Sequence, residues 1–303
     1  MNNTNVPNIS SAAPQAVLDA LAGQLDDMTP ELRKAAAFVL ENPNEVGVSS
    51  IREIAEAANV KPNTFVRMAR SVGFGGYDDF REPFREEIRQ GRASFPDRAR
   101  WLQSLSKGGK LGALYADMVS SAISNIEDTF ANIDVGTLKM AAETIWAARR
   151  VFTLGVGVNS SNASNFTYLA STGMVEFYAI PKLGSVATDD LAWADSRDVL
   201  IAMTSKPYRR EVVEAVRIAR EQGVKVIGVS DSAASPVIIG SEFGFVVSVD
   251  TPQFFPSSVS TIAFLETLLS FVIASATPEI VERVEQFHRR RHELGIYTDS
   301  PER

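Results

Sequence analysis

SSIREIAEAANVKPNTFVRMARSVGFGGYDDF, residues 49–80, decides how the N-terminal third of the chain folds. Ser50 and Glu53 stand at capping-box spacing, so a helix starts here, with Ile51, Ile54, Ala55 and Ala58 as its inward stripe. The small Ala55 lets a second helix cross closely. Asn59 tolerates the left-handed backbone that a tight helix–helix turn requires. Pro62 suits the first position of the next helix, which ends at Gly73. On that helix Phe65 and Met68 or Ala69 face inward, and Asn63, Thr64, Arg67 and Arg70 do not. The spacing is that of a helix-turn-helix.

The outward groups are amides, hydroxyls and guanidiniums, the donors and acceptors that meet base edges and phosphates in a major groove. Ser50, Lys61, Asn63, Thr64, Arg67 and Arg70 are the candidate DNA contacts. The same pattern also fits an ordinary three-helix bundle with a solvated face. Upstream, Thr29-Pro30-Glu31 opens another helix, Leu32, Ala36, Val39 and Leu40 form its apolar stripe, and Asn42-Pro43 stops it.

Residues 28–90 resemble the N-terminal domain of the RpiR-type bacterial transcriptional regulators. The match runs through MTPELRKAAAFVLENPNEV and is most specific from Ile51 to Phe80, with AEAA, a short turn, a T-x-x-R-x-x-R-x-x-G-F helix and a Gly-rich turn with an aromatic. The family usually has Ser-Glu where this chain has Lys61-Pro62-Asn63, so the recognition-helix cap differs. The resemblance implies DNA binding.

Further along, short Val/Ile-rich runs alternate with amphipathic segments from about 150 to 250. The strands are expected at 151–158, 175–180, 198–203, 224–229 and 243–249, with a short helix near Pro236 to Ile239 and a long one from Ser257 to Ala276. Single helices between strands imply a doubly wound parallel sheet, so the fold class is α/β with an all-α domain in front. Ligands of such sheets sit at the carboxyl ends of the strands. Those ends are 155–161, 204–210, 230–232 and 251–258, and the candidate ligand residues on them are Gly155, Gly157, Asn159, Ser160 and Ser161, then Thr204, Ser205, Lys206 and Arg209, and finally Ser257 and Ser258. All are polar or Gly, and the second group is basic, so a small anion is the expected ligand. A nicotinamide site fails its motif test, because the third Gly of G-x-G-x-x-G is Ser160 and the second strand ends in Ala-Ile-Pro-Lys182 without an acid. No cofactor is expected.

Residues 110–276 resemble the SIS (sugar isomerase) domain that follows the DNA-binding domain in RpiR-type regulators. The family's phosphate loops are G-x-G-x-S and S-x-S-G-x-T. The first reads Gly155-Val-Gly157-Val-Asn159 here, with Ser160 next. In the second, Lys206, Pro207 and Arg209 replace the second Ser, the Gly and the Thr. Pro207 removes a backbone donor, while Lys206, Arg209 and Arg210 add cationic ones. The resemblance implies a phosphosugar or related acid as ligand, and a homodimer or higher homo-oligomer that reads paired half-sites. Phe254-Phe255-Pro256 falls in a stretch that helps form the dimer and the crevice rim in the family.

The whole chain of 303 residues carries a net charge of −7, which by itself argues against a polyanionic partner. Between Met28 and Arg92 ten basic residues balance ten acidic ones, so the acidic excess lies elsewhere. Length allows two domains. The expected division is a flexible tail at 1–14, the helix-turn-helix domain at 15–92, a Gly/Ser/basic linker at 93–110 and the SIS-like domain at 111–303. Leu111 to Arg149 is expected to be helical in two pieces broken near Asn132–Gly136.

Cysteine is absent, which excludes a disulfide scaffold and a thiol nucleophile. The N-terminus lacks a signal-peptide pattern and the apolar run Ile262–Ala274 is broken by Glu266, so a cytoplasmic protein without a membrane partner is expected. His288 and His292 have metal-ligand spacing but flank three arginines, so no metal is expected. Trp101, Trp146 and Trp193 are read as packing residues. The alternative function is a phosphosugar isomerase or lyase. It needs a general base, and only Glu176, Asp189, Asp231 and Glu266 offer one, so no catalytic residue and no turnover are expected.

Overall fold

The computed structural model describes residues 13–89, 95–174 and 176–298. Residues 1–12 of the expected tail and 93–94 of the expected linker lie outside them. The chain divides into two compact units, Met1–Ala122 with Asp250–Pro256, and Ile123–Val249 with Ser257–Arg303.

The first unit holds helices α1 (Pro14–Gly23), α2 (Pro30–Glu41), α3 (Pro43–Val48), α4 (Ile51–Ala57), α5 (Pro62–Ser71), α6 (Tyr77–Arg89) and α7 (Phe95–Lys107). α8 (Leu111–Ala131) begins in it. The α4 capping box forms in full: Ser50 Oγ accepts from the Glu53 amide at 3.3 Å, and Glu53 Oε2 accepts from the Ser50 amide at 2.8 Å. Thr29 precedes α2, but its side chain makes no capping hydrogen bond.

Asn59 ends α4 with a φ of 52°. The Val60 amide donates to Ala55 O at 2.9 Å and the Asn59 amide to Glu56 O at 3.0 Å, the paired bonds of a Schellman turn. Asn59→Val places a β-branched side chain at a positive φ and is expected to cost about 1–2 kcal/mol in chemical denaturation. Asn59→Gly is expected to be close to neutral. The core below this turn gathers Leu21, Ala36, Val39, Ile54, Phe65, Met68 and Phe80. The Phe65 and Tyr77 rings meet edge-on at 5.6 Å, as do Phe74 and Phe80 at 5.3 Å.

The stretch read as a linker carries α7. Its Gly/Ser/basic composition hides an apolar stripe, Trp101, Leu102 and Leu105, which packs on Val48, Ile88 and Leu114. Arg98 is buried and donates to Thr251 O at 2.7 Å, and the Phe95 and Phe255 rings lie 4.4 Å apart. These contacts bring 250–256 into the helical unit, so this unit extends past residue 110 to Ala122.

In the second unit, the break between α8 and α9 (Val135–Trp146) is capped by Asp134, whose carboxylate accepts from the Thr137 amide at 2.7 Å. The rest is β1 (Val151–Gly155), α10 (Asn159–Ala170), β2 (Phe177–Ile180), α11 (Ala187–Asp190), β3 (Val199–Met203), α12 (Arg210–Glu221), β4 (Lys225–Ser230), β5 (Phe243–Val246), α13 (Val259–Ser275) and α14 (Glu279–Glu293). The described strands form a five-stranded, all-parallel sheet in the order β2-β1-β3-β4-β5. The segment near Pro236 forms turns instead of the expected helix: Ile238 and Ile239 amides both close on Ser235 O, and Gly240 at φ 74° ends the run.

Alternation along the strands feeds two apolar layers. Val199, Ile201 and Met203 meet α9, α10 and α13, while Leu200 and Ala202 meet α11 and α12. Both faces are covered, which is why the central strands read as unbroken apolar runs. Because β2 and β3 flank β1 on opposite sides, the strand order reverses there. That reversal opens a crevice at the carboxyl ends of β1 and β3.

Candidate functional site

Two surfaces hold the residues singled out by sequence. On α5, Phe65, Met68 and Ala69 are fully buried, and Lys61, Asn63, Arg67 and Arg70 are exposed. Thr64 is half-buried. Lys61 occupies the N-cap position of α5 and makes no side-chain cap. Arg70 Nε donates to Gly75 O at 3.2 Å, tethering the end of α5 to the Gly-rich turn. Ser50 is spent in the α4 capping box. A row of exposed donors on a helix whose other face is locked into a core can enter a groove without unfolding anything.

The second surface is the crevice. Gly155 ends β1 so tightly that an added Cβ would stand 2.0 Å from Asn159 O, and Gly157 has a φ of 63°. A Cβ on Gly157 would lie 3.6 Å from an Arg209 Nη1, so the β1–α10 and β3–α12 loops meet. Ser160 Oγ donates to Gly157 O at 2.7 Å and Ser161 Oγ to Val158 O at 3.0 Å. Both oxygens keep acceptor capacity, so as ligand groups they receive hydrogen bonds. Asn159 Oδ1 accepts from Asn162 Nδ2 at 3.0 Å. No side chain caps α10.

On the β3 side, Thr204 is buried and its Oγ1 accepts from the Arg209 amide at 3.3 Å. Thr204 therefore shapes the loop. Ser205 is half-buried, and Lys206 and Arg209 are exposed. Arg209 stands at the N-cap position of α12 without a side-chain cap and pairs with Glu211 at 2.6 Å, which offsets part of the positive charge at that helix start. Ser257 is buried with its Oγ accepting from the Val259 amide at 3.3 Å, and Ser258 precedes α13. Among the described residues no hydrogen bond joins either to the two loops.

Of the candidate carboxylates, Asp231 follows β4 at the carboxyl end of the sheet, where Ser230 Oγ donates to Thr204 O at 2.7 Å and lies 3.2 Å from Asp231 Oδ1; the others lie elsewhere. Glu176 precedes β2, at the opposite edge of the sheet, and accepts from Tyr178 OH at 2.7 Å. Glu266 is exposed on α13, and Asp189 is exposed on α11. Trp101 is buried as expected, but Trp193 is 86% exposed, because it lies in the irregular segment between α11 and β3. Sequence reading also passed over a cavity in the helical unit, lined by Arg81, Arg85, Arg100 and Trp101. The only hint was two arginines four apart on α6.

Residues 15–91 match the helix-turn-helix domain model of the rpiR family, and residues 144–274 match the SIS domain. The HTH-type transcriptional regulator HexR of Pseudomonas aeruginosa is 26% identical over 73% of this chain and 75% of its own length. An uncharacterized HTH-type transcriptional regulator of Clostridium perfringens is 21% identical over 88% of this chain and 95% of its own. Among solved structures, the Vibrio vulnificus NanR protein complexed with ManNAc-6P is 22% identical, with a TM-score of 0.55 over 93% of this chain and 100% of that one. The sugar isomerase domain of an RpiR transcription factor from Sphaerobacter thermophilus is 22% identical, with a TM-score of 0.55 over 58% of this chain and 98% of that one. These structures share the fold. The chain is thus of the RpiR type, an rpiR-family helix-turn-helix domain followed by a SIS domain.

Proposed function

We propose that this protein is a cytoplasmic, DNA-binding transcriptional regulator whose SIS-like crevice senses a small anionic metabolite, a sugar phosphate or related acid. The observation that carries the DNA reading is α5. It presents Asn63, Arg67 and Arg70 outward on a helix that Phe65, Met68 and Ala69 anchor behind the Asn59 turn. Lys61, Thr64 and Ser50 complete the proposed contact set. A helix-turn-helix gains affinity by reading two half-sites as a dimer. The exposed apolar residues Leu111, Tyr115 and Val119 of α8 support a homodimer, since a 21-residue helix that buries so little of itself favours a partner. Functionally, 15–92 reads DNA and 111–303 senses and dimerises, while 93–110 carries α7 as part of the helical unit.

For the crevice, Gly155, Gly157, Asn159, Ser160 and Ser161 face Thr204, Ser205, Lys206 and Arg209, with Ser257 and Ser258 as further candidates. The basic side of this set recognises phosphate or carboxylate. Both histidines lie on α14 and Glu176 and Glu266 lie away from the loops, which leaves Asp231 as the one candidate carboxylate at a strand's carboxyl end and supports a sensor without catalysis. A ligand then acts by binding the DNA-competent and incompetent forms unequally. In a thermal-shift screen of sugar phosphates and organic acids, a hit should raise the melting temperature of the native protein. The Lys206→Gln/Arg209→Gln double variant should lose that rise, with affinity down about 10- to 100-fold. A hit that stabilises both proteins equally would remove these cations from the site.

A further inference from the structure

A second polar cavity lies in the helical unit, away from the crevice residues in sequence and built from other elements. Its volume is about 390 Å³, and α3, the start of α4, α6 and α7 wall it. That is enough for a small metabolite. Val48, Trp101 and Leu105 give it apolar lining, and Trp101 and Val48 are each only 4% exposed.

Among the described residues four cations line it, Arg81, Arg85, Arg100 and Lys110. Two carboxylates join them, Glu45 and Glu53, and both already serve the fold. Glu53 accepts from the Ser50 amide at 2.8 Å to close the capping box. Glu45 accepts from Ser49 Oγ at 2.7 Å and from Arg100 Nη1 at 3.3 Å. Arg100 is further held by Asp97 at 3.0 Å. The positive excess therefore falls on Arg81, Arg85 and Lys110.

Arg81 is 8% exposed. One Nη2 donates to Ser49 O at 2.8 Å and to Gly47 O at 3.3 Å, while its buried Nε has no hydrogen-bond partner. Arg85 has Glu82 at 3.7 Å, beyond hydrogen-bonding distance. Burial lowers the Arg81 pKa, and the charge of Arg85 lowers it further. Asp78 at 3.9 Å from Arg81 and Glu82 at 3.7 Å from Arg85 are both solvent-accessible and offset the two like charges only in part, so an anion between them is favoured.

We infer that this cavity is an anion-binding site of the DNA-binding unit, taking a small metabolite that carries a phosphate or carboxylate on a short body laid against Trp101. The guanidinium of Arg85 offers a fork matched to such a group, and Lys110 adds a point charge at the mouth. The apolar lining of Val48, Trp101 and Leu105 beside the cations favours a small molecule with a short apolar body over a DNA phosphate, which brings charge alone. The wall includes Ser49, Ser50 and Glu53, the start of the first helix of the helix-turn-helix. An occupant therefore touches the element that sets the pose of α5. This inference does not depend on what fills the SIS-like crevice.

The probe is inorganic phosphate, titrated into the full chain against chloride at equal ionic strength. Trp146→Phe and Trp193→Phe leave Trp101 as the reporter. A saturable change in its fluorescence is expected, weakened at least about tenfold by Arg85→Gln and, separately, by Lys110→Gln. Lys225→Gln, an exposed cation outside both sites, should leave it unchanged. Lys110 is exposed, so its variant keeps the fold, and circular dichroism checks the Arg85 variant. No saturable change, or one that survives both substitutions, would overturn the assignment. So would loss of DNA affinity in both variants without any phosphate response, which would assign the cluster to the DNA backbone.

Discussion

Arg67→Ala is expected to weaken operator binding by about 1–3 kcal/mol per half-site, and so by about 2–6 kcal/mol for a dimer on paired sites. Arg67 is exposed on α5 between the buried Phe65 and Met68. Its removal should change folding stability by no more than about 0.5 kcal/mol, as for other surface substitutions. Arg70 is a less clean probe, because its Nε also holds Gly75 O. The measurement is a mobility-shift titration on DNA that the native protein enriches from a random pool. Specific loss on the enriched sequence, with non-specific DNA unaffected, makes Arg67 a base reader. Equal loss on all sequences, with the salt slope reduced by about 1, makes it a phosphate contact. Unchanged affinity on both would remove α5 from the groove.

The net charge of −7 sharpens this expectation. A near-neutral reading head attached to an acidic partner domain gains little from non-specific attraction to phosphate. Affinity then depends on the few directed contacts of α5 and on pairing of half-sites, so one deleted guanidinium has a large effect.

The α4–α5 turn was legible because it rests on a local rule: a left-handed residue, an apolar residue after it and a proline to start again. The strands were legible because burial on both faces leaves only apolar side chains. Strand order was not, since it depends on which distant segments pair. The same limit hid the clamp at the amino ends of the central strands. Arg149 and Arg150 precede β1 and Asp198 precedes β3, 48 residues later, and only the β1–β3 register, Val151 opposite Val199, makes them neighbours. α7 was missed because composition outweighed its three apolar positions. The crevice loops were found, but not the orientation of their hydroxyls. Ser160 and Ser161 are turned by carbonyls three residues back, and Thr204 by the Arg209 amide, details set by the folded backbone.

That clamp carries the largest expected effect on stability. Asp198 is fully buried. Arg149 donates to it through Nε at 2.9 Å and Nη2 at 2.6 Å, Arg150 through Nη2 at 2.8 Å, and the Asp195 amide at 3.0 Å. Burial pushes the carboxyl pKa up, but the two guanidiniums and the amide outweigh it and hold the group at about 2, against an ordinary 3.8. A depressed carboxylate pKa stabilises the fold above the unfolded value, and this contribution fades as the pH falls towards the folded one. Its size near neutrality is about 2–3 kcal/mol. Asp198→Asn removes the charge and leaves Arg149 and Arg150 facing a neutral amide, so a loss of about 3 kcal/mol is expected at pH 7. Urea unfolding followed by the fluorescence of Trp146, which packs against the core of the same unit, reports it. The gap between native protein and variant should hold down to about pH 5 and shrink by about half at pH 3. A gap of the same size at pH 7 and pH 3 would mean that Asp198 acts through shape alone. In that case the two arginines before β1 do not hold the amino ends of β1 and β3 together by charge.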